Sequence, residues 1–442
     1  MKLIMYNHDV YTIPFRDKYI VYQPLNRFAF IGNKAIVNLI GEVFNRKEID
    51  PDENREALSF LSSHGFFNKH GLAVPRATSG VFQPTVAVLC MTSACNFRCS
   101  YCFAAREEEN HEEIPVETGK RAIDIACSNA HETGAGSFTV SFHGGGEPTL
   151  PFNKLKELTA HARRKEINCI IELTSNGYWE EAKAGWIISN TDNITLSFDG
   201  ISDIQNMQRP LASGNETFKT VMKNIMKLDT SGSGYGIRMT VTRYSVSRLS
   251  ENIEFIINNT GCSTIQVEPS FGTGRAKTNN LAIKDNRLFV EQFMKARDIA
   301  SHHERNLYYS GARPWINTAS FCTAHQNALV VTPGGLLSSC YEISWSGHPL
   351  AELFHFGKIT PGGELEIEYS KRKKLEKLVN ERKESCRTCF CYWHCAGDCP
   401  AKIILPSSFD INPFPERCDV NREITKQILI NYLIENDGVY KT

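Results

Sequence analysis

The feature that most limits what this chain can fold into is an alternation. Between residue 84 and about residue 300, six short β-rich runs, at 86–89, 138–142, 169–173, 193–197, 236–242 and 264–268, are separated by stretches with helical periodicity. Parallel strands need a crossover between them, usually a helix, so this order predicts βα units joined into one parallel sheet. Six units predict an incomplete barrel. In βα barrels the functional groups gather in the loops after the strands' C-terminal ends. The residues that follow each run are therefore where chemistry is expected.

The first run leads into Cys95-Asn96-Phe97-Arg98-Cys99-Ser100-Tyr101-Cys102. Cysteines spaced x3 then x2 can fold over one face of an iron–sulfur cube and supply three thiolates, leaving one iron without a protein ligand. A structural zinc site wants four closed ligands, and no fourth Cys or His follows closely. The second run ends in His143-Gly144-Gly145-Gly146-Glu147-Pro148, where consecutive glycines let backbone approach a ligand and Glu147 could accept from a cation. The third is closed by Thr174-Ser175-Asn176-Gly177 and the fourth by Ser197-Phe198-Asp199-Gly200. Ser197 and Asp199, two apart, would share one strand face and one hydroxylated ligand, although Asn-Gly and Asp-Gly are turn formers in any case. Arg238 on the fifth run could pair a carboxylate or simply face solvent, and Gln266-Val267-Glu268-Pro269 ends the sixth.

Beyond about Tyr309 the composition changes. Of 15 cysteines, eight lie between Cys322 and Cys418, and with no secretion signal such clustering favours metal over disulfides. The pattern is Cys322, x12, Gly335, x4, Cys340, then Cys386-x2-Cys389-x5-Cys395-x3-Cys399, and finally Cys418. A zinc ribbon would explain Cys386 and Cys389 but not seven cysteines in this order. Cys90, Cys127, Cys169 and Cys262 sit in apolar contexts and read as packing residues.

The cysteine loop with Tyr101 and Phe103 around its third cysteine, the Gly145-Gly146-Glu147 motif about forty residues later, and the seven-cysteine tail together resemble the radical S-adenosylmethionine (SAM) enzymes that carry a SPASM extension. The resemblance implies an α/β fold: a partial (β/α)6 barrel at 84–308, a winged-helix-like head at 1–80, and a cysteine-rich SPASM domain at 309–442. It also implies that Cys95, Cys99 and Cys102 hold the [4Fe-4S] cluster that binds SAM. Gly145, Gly146 and Glu147 would contact SAM's amino group, Ser197 and Asp199 its ribose side, and Arg238 its carboxylate. Cys386, Cys389, Cys395 and Cys418 would ligate one auxiliary [4Fe-4S] cluster. Cys322, Cys340 and Cys399 would hold part of a second, whose remaining iron stays open or takes a distant ligand, with Cys391 as the spare. Sulfatase maturases place an aspartate directly after the cysteine matching Cys340; here Tyr341 and Glu342 follow, and either is the candidate proton acceptor.

In the head, runs at 19–22 and 28–31 read as strands around a Pro24-Leu25-Asn26 turn. Asn33 caps an expected helix through Val43, and a second helix is expected from about Asp52. This unit is either a peptide-leader module or a cap on the barrel, and 71–83 reads as a linker. The basic run 371–374 is expected to be a solvated helix face. Lys and Arg total 49 against 49 Asp and Glu, which leaves no electrostatic footprint for nucleic acid or a membrane surface. With neither a signal-like N-terminus nor an apolar span, the expected place is the cytoplasm. The leading functional expectation is a peptide maturase that installs a thioether or carbon–carbon crosslink on a precursor peptide, with an electron donor such as flavodoxin or ferredoxin. The alternatives are a formylglycine-forming sulfatase maturase and a non-catalytic metal-binding or electron-carrier protein.

Overall fold

A computed structural model describes residues 4–6, 9–68, 81–105, 111–322, 324–360, 362–412 and 415–441. The head is a meander of four antiparallel strands, β1 (Ile4–Tyr6), β2 (Val10–Phe15), β3 (Lys18–Gln23) and β4 (Phe28–Gly32), followed by helices Lys34–Phe44 and Arg55–Ser63. Asn33 caps the first helix, its side chain accepting from the Ile36 amide at 3.0 Å. Only two of the four strands were legible in the sequence. The 71–83 linker falls mostly outside the described residues.

All six expected runs form strands: β5 (Val86–Leu89), β6 (Ser137–Phe142), β7 (Asn168–Ser175), β8 (Asn193–Ser197), β9 (Tyr235–Val241) and β10 (Thr264–Pro269). They pair in parallel and in sequence order. The sheet does not stop there. At one edge β11 (Asn306–Tyr308) adds in parallel to β10. At the other, β12 (Ala328–Val331) adds in parallel to β5, and β13 (Leu336–Ser338), β14 (His355–Ile359) and β15 (Leu365–Ile367) extend it antiparallel, giving eleven strands. The sheet is thus continuous across residue 308.

Burial alternates strictly along β7, β9 and β10. Ile171, Leu173, Ile237, Met239, Ile265 and Val267 face the helices and join one large apolar core. Their neighbours Thr174, Arg238, Thr240, Gln266 and Glu268 face the barrel interior, so the strand period itself makes the interior polar. Helix Arg417–Glu435 sends Val420, Ile424 and Ile428 into the same core. After that helix the chain returns to the head, where β16 (Val439–Lys441) pairs antiparallel with β4. The head sheet buries Tyr11, Ile13, Ile20 and Tyr22 against Phe390, Tyr392 and Trp393 of the cysteine-rich segment. Among the described residues no helix is long and apolar enough to cross a membrane.

The basic run departs from its expected role at one position. Lys373 and Lys374 are exposed, but the Arg372 guanidinium lies 3.6 Å from the Phe82 ring centroid and 4.7 Å from that of Phe356. It is a packed cation–π residue whose sequence neighbours disguise it. Because β12 covers the β5 edge and Arg417–Glu435 completes the barrel core, a chain cut after residue 308 exposes an unpaired parallel strand. It is expected to self-associate, and a monodisperse monomer on size-exclusion chromatography would contradict this account.

Candidate functional site

The cysteine loop has little regular structure of its own and is held by three neighbours. The Arg98 and Ser100 amides donate to the Pro210 and Gln208 carbonyls, and the Ala212 amide donates to the Asn96 carbonyl. From the other side, the Arg275 amide donates to the Cys102 carbonyl at 3.0 Å, and Asn279 Nδ2 donates to the Ser100 carbonyl at 2.7 Å. The third support is the glycine turn. The Gly146 amide donates to the Thr92 carbonyl at 2.6 Å and the Glu147 amide to the Ala94 carbonyl at 2.8 Å. A Cβ on Gly146 would lie 1.8 Å from the Ala94 carbonyl oxygen, and one on Gly145, whose φ is +68°, 2.6 Å from the Thr92 oxygen. Only glycine permits this approach.

Cys95 is exposed, Cys99 buried and Cys102 half-buried, all on the wall of a cavity of about 1370 Å³ at the barrel mouth. Burial, with Cys102 as a nearby like charge, pushes the Cys99 thiol up to about 11 despite Arg209. Among the described residues no three Cys, His, Asp or Glu converge tightly enough for a single metal ion. The glycine cradle and the three thiols fit the expected group.

Glu147 and Asp199 have turned inward. Glu147 is 3 % exposed; its Oε1 accepts from the Thr149 amide and hydroxyl and from Ser175 Oγ, and its Oε2 accepts from the Asn176 amide at 2.8 Å. It reaches the cavity wall but also ties the glycine turn to the loop after β7. Asp199 does not reach that wall. Its Oδ2 accepts from Tyr101 Oη at 2.7 Å and Gln208 Nε2 at 2.8 Å, and its Oδ1 from the Thr240 amide. SAM's ribose side is the expected place of Asp199 together with Ser197; β8 ends at Ser197, so strand alternation does not extend to Asp199. Burial pushes its carboxyl up, against the pull of Arg209, Tyr101, Thr240 and Gln208. Arg209 Nη1 donates to Tyr101 Oη at 2.6 Å and completes the tether. Ser197 and Arg238 do line the cavity, with Thr240 beside them.

In the C-terminal region the fold brings together both cysteine groups. Cys395 is an electrostatic neighbour of Cys386, Cys389 and Cys418. Arg382 Nη2 donates to Cys418 Sγ at 3.0 Å and Asn421 Nδ2 to Cys395 Sγ at 3.3 Å. Cys391 belongs to this neighbourhood, against Cys389, the Asn421 carbonyl and Thr425. Cys340 neighbours Cys322 and Cys399 instead, and all three line a second cavity of about 250 Å³. Cys90, Cys169 and Cys262 are buried, and Cys127 packs half-buried against the core.

Both cavities share His143, Arg238, Glu268, Glu342, Lys402 and Arg417 as walls. Glu342 pairs with Lys402 at 2.7 Å. Burial opposes its charge, yet Lys402, Arg238 and Arg417 outweigh burial and hold the carboxyl below its ordinary value. Burial raises the Tyr341 phenol, so of the two candidate bases Glu342 alone is ionised near neutral pH. The Tyr341 ring lies 4.2 Å from that of His143, whose Nδ1 is buried without a hydrogen-bond partner and whose pKa burial lowers to about 3. The sequence reading passed over His143 because only the glycines after it carried a signal.

Replacing Tyr101 by Phe removes the hydroxyl that bridges Asp199 and Arg209 in a buried site, a loss of about 1–3 kcal/mol, readable as a lower urea midpoint. Gly146→Ala is expected to displace the cysteine loop and to lower SAM affinity at least about tenfold, or 1.4 kcal/mol, by isothermal calorimetry on the iron-loaded protein.

Residues 89–256 match the family model of the Radical SAM superfamily. The sporulation killing factor maturation protein SkfB of Bacillus subtilis is 24% identical over 317 residues, covering 68% of this chain and 72% of that protein. A cysteine-type anaerobic sulfatase-maturating enzyme of Clostridium perfringens is 31% identical over 147 residues, 29% of this chain and 36% of the enzyme. An uncharacterized Methanocaldococcus jannaschii protein, 27% identical, is matched over 57% of its length and 38% of this chain. The chain thus spans well under two thirds of two of these three relatives. In fold it is similar to native anSMEcpe with bound AdoMet, at a TM-score of 0.58 and 19% identity over 78% of this chain and 98% of that one. The matched segment runs from the end of β5 into the helix after β9 and contains the cysteine loop, the glycine turn and the Ser197 and Arg238 walls; the part of the chain that carries the site is thus similar to the Radical SAM superfamily, whose members use SAM on a [4Fe-4S] cluster.

Proposed function

We propose that this enzyme is a peptide maturase that oxidatively crosslinks or otherwise modifies a ribosomally made precursor peptide. The observation that carries this reading is the size and reach of the barrel-mouth cavity. At about 1370 Å³ it exceeds the roughly 300–1,000 Å³ of ordinary small-molecule sites, and it runs from the cysteine loop to Glu342, Trp345, Lys402 and Arg417. That leaves room for a peptide segment beside SAM. The relationship to SkfB, a maturation protein, supports the same reading.

In this reading Cys95, Cys99 and Cys102 hold the cluster, and Gly145, Gly146, Glu147, Ser197 and Arg238 surround SAM. When bound, cluster and SAM supply a 5′-deoxyadenosyl radical that takes one hydrogen atom from the substrate. Glu342, kept ionised by its cationic neighbours, accepts the accompanying proton, while Arg238 and Tyr341 shape the passage between the two cavities. Auxiliary [4Fe-4S] clusters at Cys386, Cys389, Cys395 and Cys418 and at Cys322, Cys340 and Cys399, a SPASM assignment for the C-terminal region, leader binding by the head, an electron donor such as flavodoxin or ferredoxin, and a cytoplasmic setting all belong to this proposal.

The C. perfringens sulfatase-maturating relative favours a second reading, oxidation of a Cys or Ser to formylglycine. Against it, Tyr341 stands directly after Cys340, where the sulfatase maturases place an aspartate. Mass spectrometry separates the two on anaerobic incubation with SAM, reductant and either a neighbouring-gene peptide or a sulfatase peptide. A crosslink loses two hydrogen atoms and keeps sulfur; with a cysteine-bearing sulfatase peptide, formylglycine loses two hydrogen atoms and also exchanges the cysteine's sulfur for oxygen. Loss of product with either peptide in wild-type protein that still forms 5′-deoxyadenosine would sink both substrate classes. Glu342→Gln is expected to retain 5′-deoxyadenosine formation while product falls about 10²–10⁴-fold, measured by chromatography of both species.

A further inference from the structure

Cys322, Cys340 and Cys399 supply three sulfurs, and the second cavity holds a fourth donor of a different kind. His325 is 7 % exposed and lines that cavity with the three cysteines. Its Nε2 is buried with no hydrogen-bond partner. The Cys322 backbone is a hydrogen-bonding neighbour of the ring, and with Nε2 unpartnered that contact falls to the other ring nitrogen, which leaves Nε2 available as a donor. An N–H donated to a backbone carbonyl behind the ring, with the opposite nitrogen bare, is the arrangement of a metal-ligating histidine. An unpartnered buried nitrogen otherwise costs free energy with nothing to offset it.

The surroundings hold this ring's backbone in place. Arg372 Nη2 donates to the His325 carbonyl at 3.0 Å, and the same guanidinium is held over Phe82 and Phe356. Of the other donors nearby, His143 on this cavity also has a bare ring nitrogen but lies against the Tyr341 ring, 4.2 Å between centroids, and two more are committed elsewhere. Glu342 is paired with Lys402, and Cys391 lies with Cys389, Asn421 and Thr425. We infer that His325 Nε2 is the fourth protein ligand of the cluster held by Cys322, Cys340 and Cys399, making it a closed Cys3His site. This rests on the auxiliary-cluster reading above and takes the place of the open iron or distant ligand that the resemblance implied. A closed site carries electrons rather than binding substrate at iron.

The test uses the full-length protein with Cys95, Cys99 and Cys102 changed to Ala, which removes the SAM-binding cluster from the spectrum. It is reconstituted anaerobically with iron and sulfide, with 15N-labelled or unlabelled histidine, and reduced with dithionite for pulsed EPR. The expected result is a nitrogen coupling that changes with the histidine label and is lost in both His325→Ala and His325→Cys. His325→Cys should keep its iron and lower the cluster's midpoint potential, since histidine in place of cysteine raises it. Iron that is bound, with a spectrum indifferent to the label and to both substitutions, overturns the assignment of His325 and leaves the cluster reading intact. A Cys340→Ala variant in the same background that loses no iron overturns the auxiliary cluster itself, and the histidine ligand with it.

Discussion

The structure depends on a contact between two pieces of backbone. The turn after β6 lies so close to the chain after β5 that the Gly146 and Glu147 amides donate to the Thr92 and Ala94 carbonyls, with no room for a Cβ between them. The cysteine loop starts one residue later. Its position in space is therefore set by main-chain hydrogen bonds to a neighbouring strand's turn, which lose less to side-chain motion than a side-chain tether would. Glu147 extends that contact: it lies in the same turn and accepts from the Ser175 hydroxyl and the Asn176 amide at the end of β7, so three consecutive strand ends are tied together.

A second network answers it from the opposite wall. Asp199, Tyr101, Arg209 and Gln208 form a buried set in which every carboxylate bond is charge-assisted or donated by a buried group. Tyr101, placed between Cys99 and Cys102, is the loop's own contribution. Removing its hydroxyl would leave an anion and a cation without their bridge. The loop is thus clamped on both sides while its three thiols remain on the cavity wall.

The C-terminal region is joined to this barrel by the sheet as well as by the chain. β12 pairs with β5, the strand that leads into the cysteine loop, so Cys322 and Cys340 flank strands in register with it. This is why the two cavities share walls such as His143, Arg238 and Glu342. The last strand then closes the head sheet, and the head rests on Phe390, Tyr392 and Trp393 beside the second cysteine group. The first and last stretches of the chain form one structural unit.

The sequence by itself determined the six parallel strands, the loop of three cysteines and the glycine turn, because each is written in local spacing: period two, x3 and x2, and consecutive glycines. Only the tertiary structure decided where side chains finally point. Asp199 lies beyond the end of β8, so strand alternation no longer governs it. Arg372 is hidden in a basic run, and its stacking on Phe82 and Phe356 depends on residues 290 and 16 positions away. His143 and His325 carry no motif, and their meaning comes from ring nitrogens left bare in cavities that form only when distant strands meet. β11 to β16 are three to five residues long, too short for a periodic signal. They exist because an existing sheet edge offers hydrogen bonds to any extended segment that tertiary packing brings alongside it.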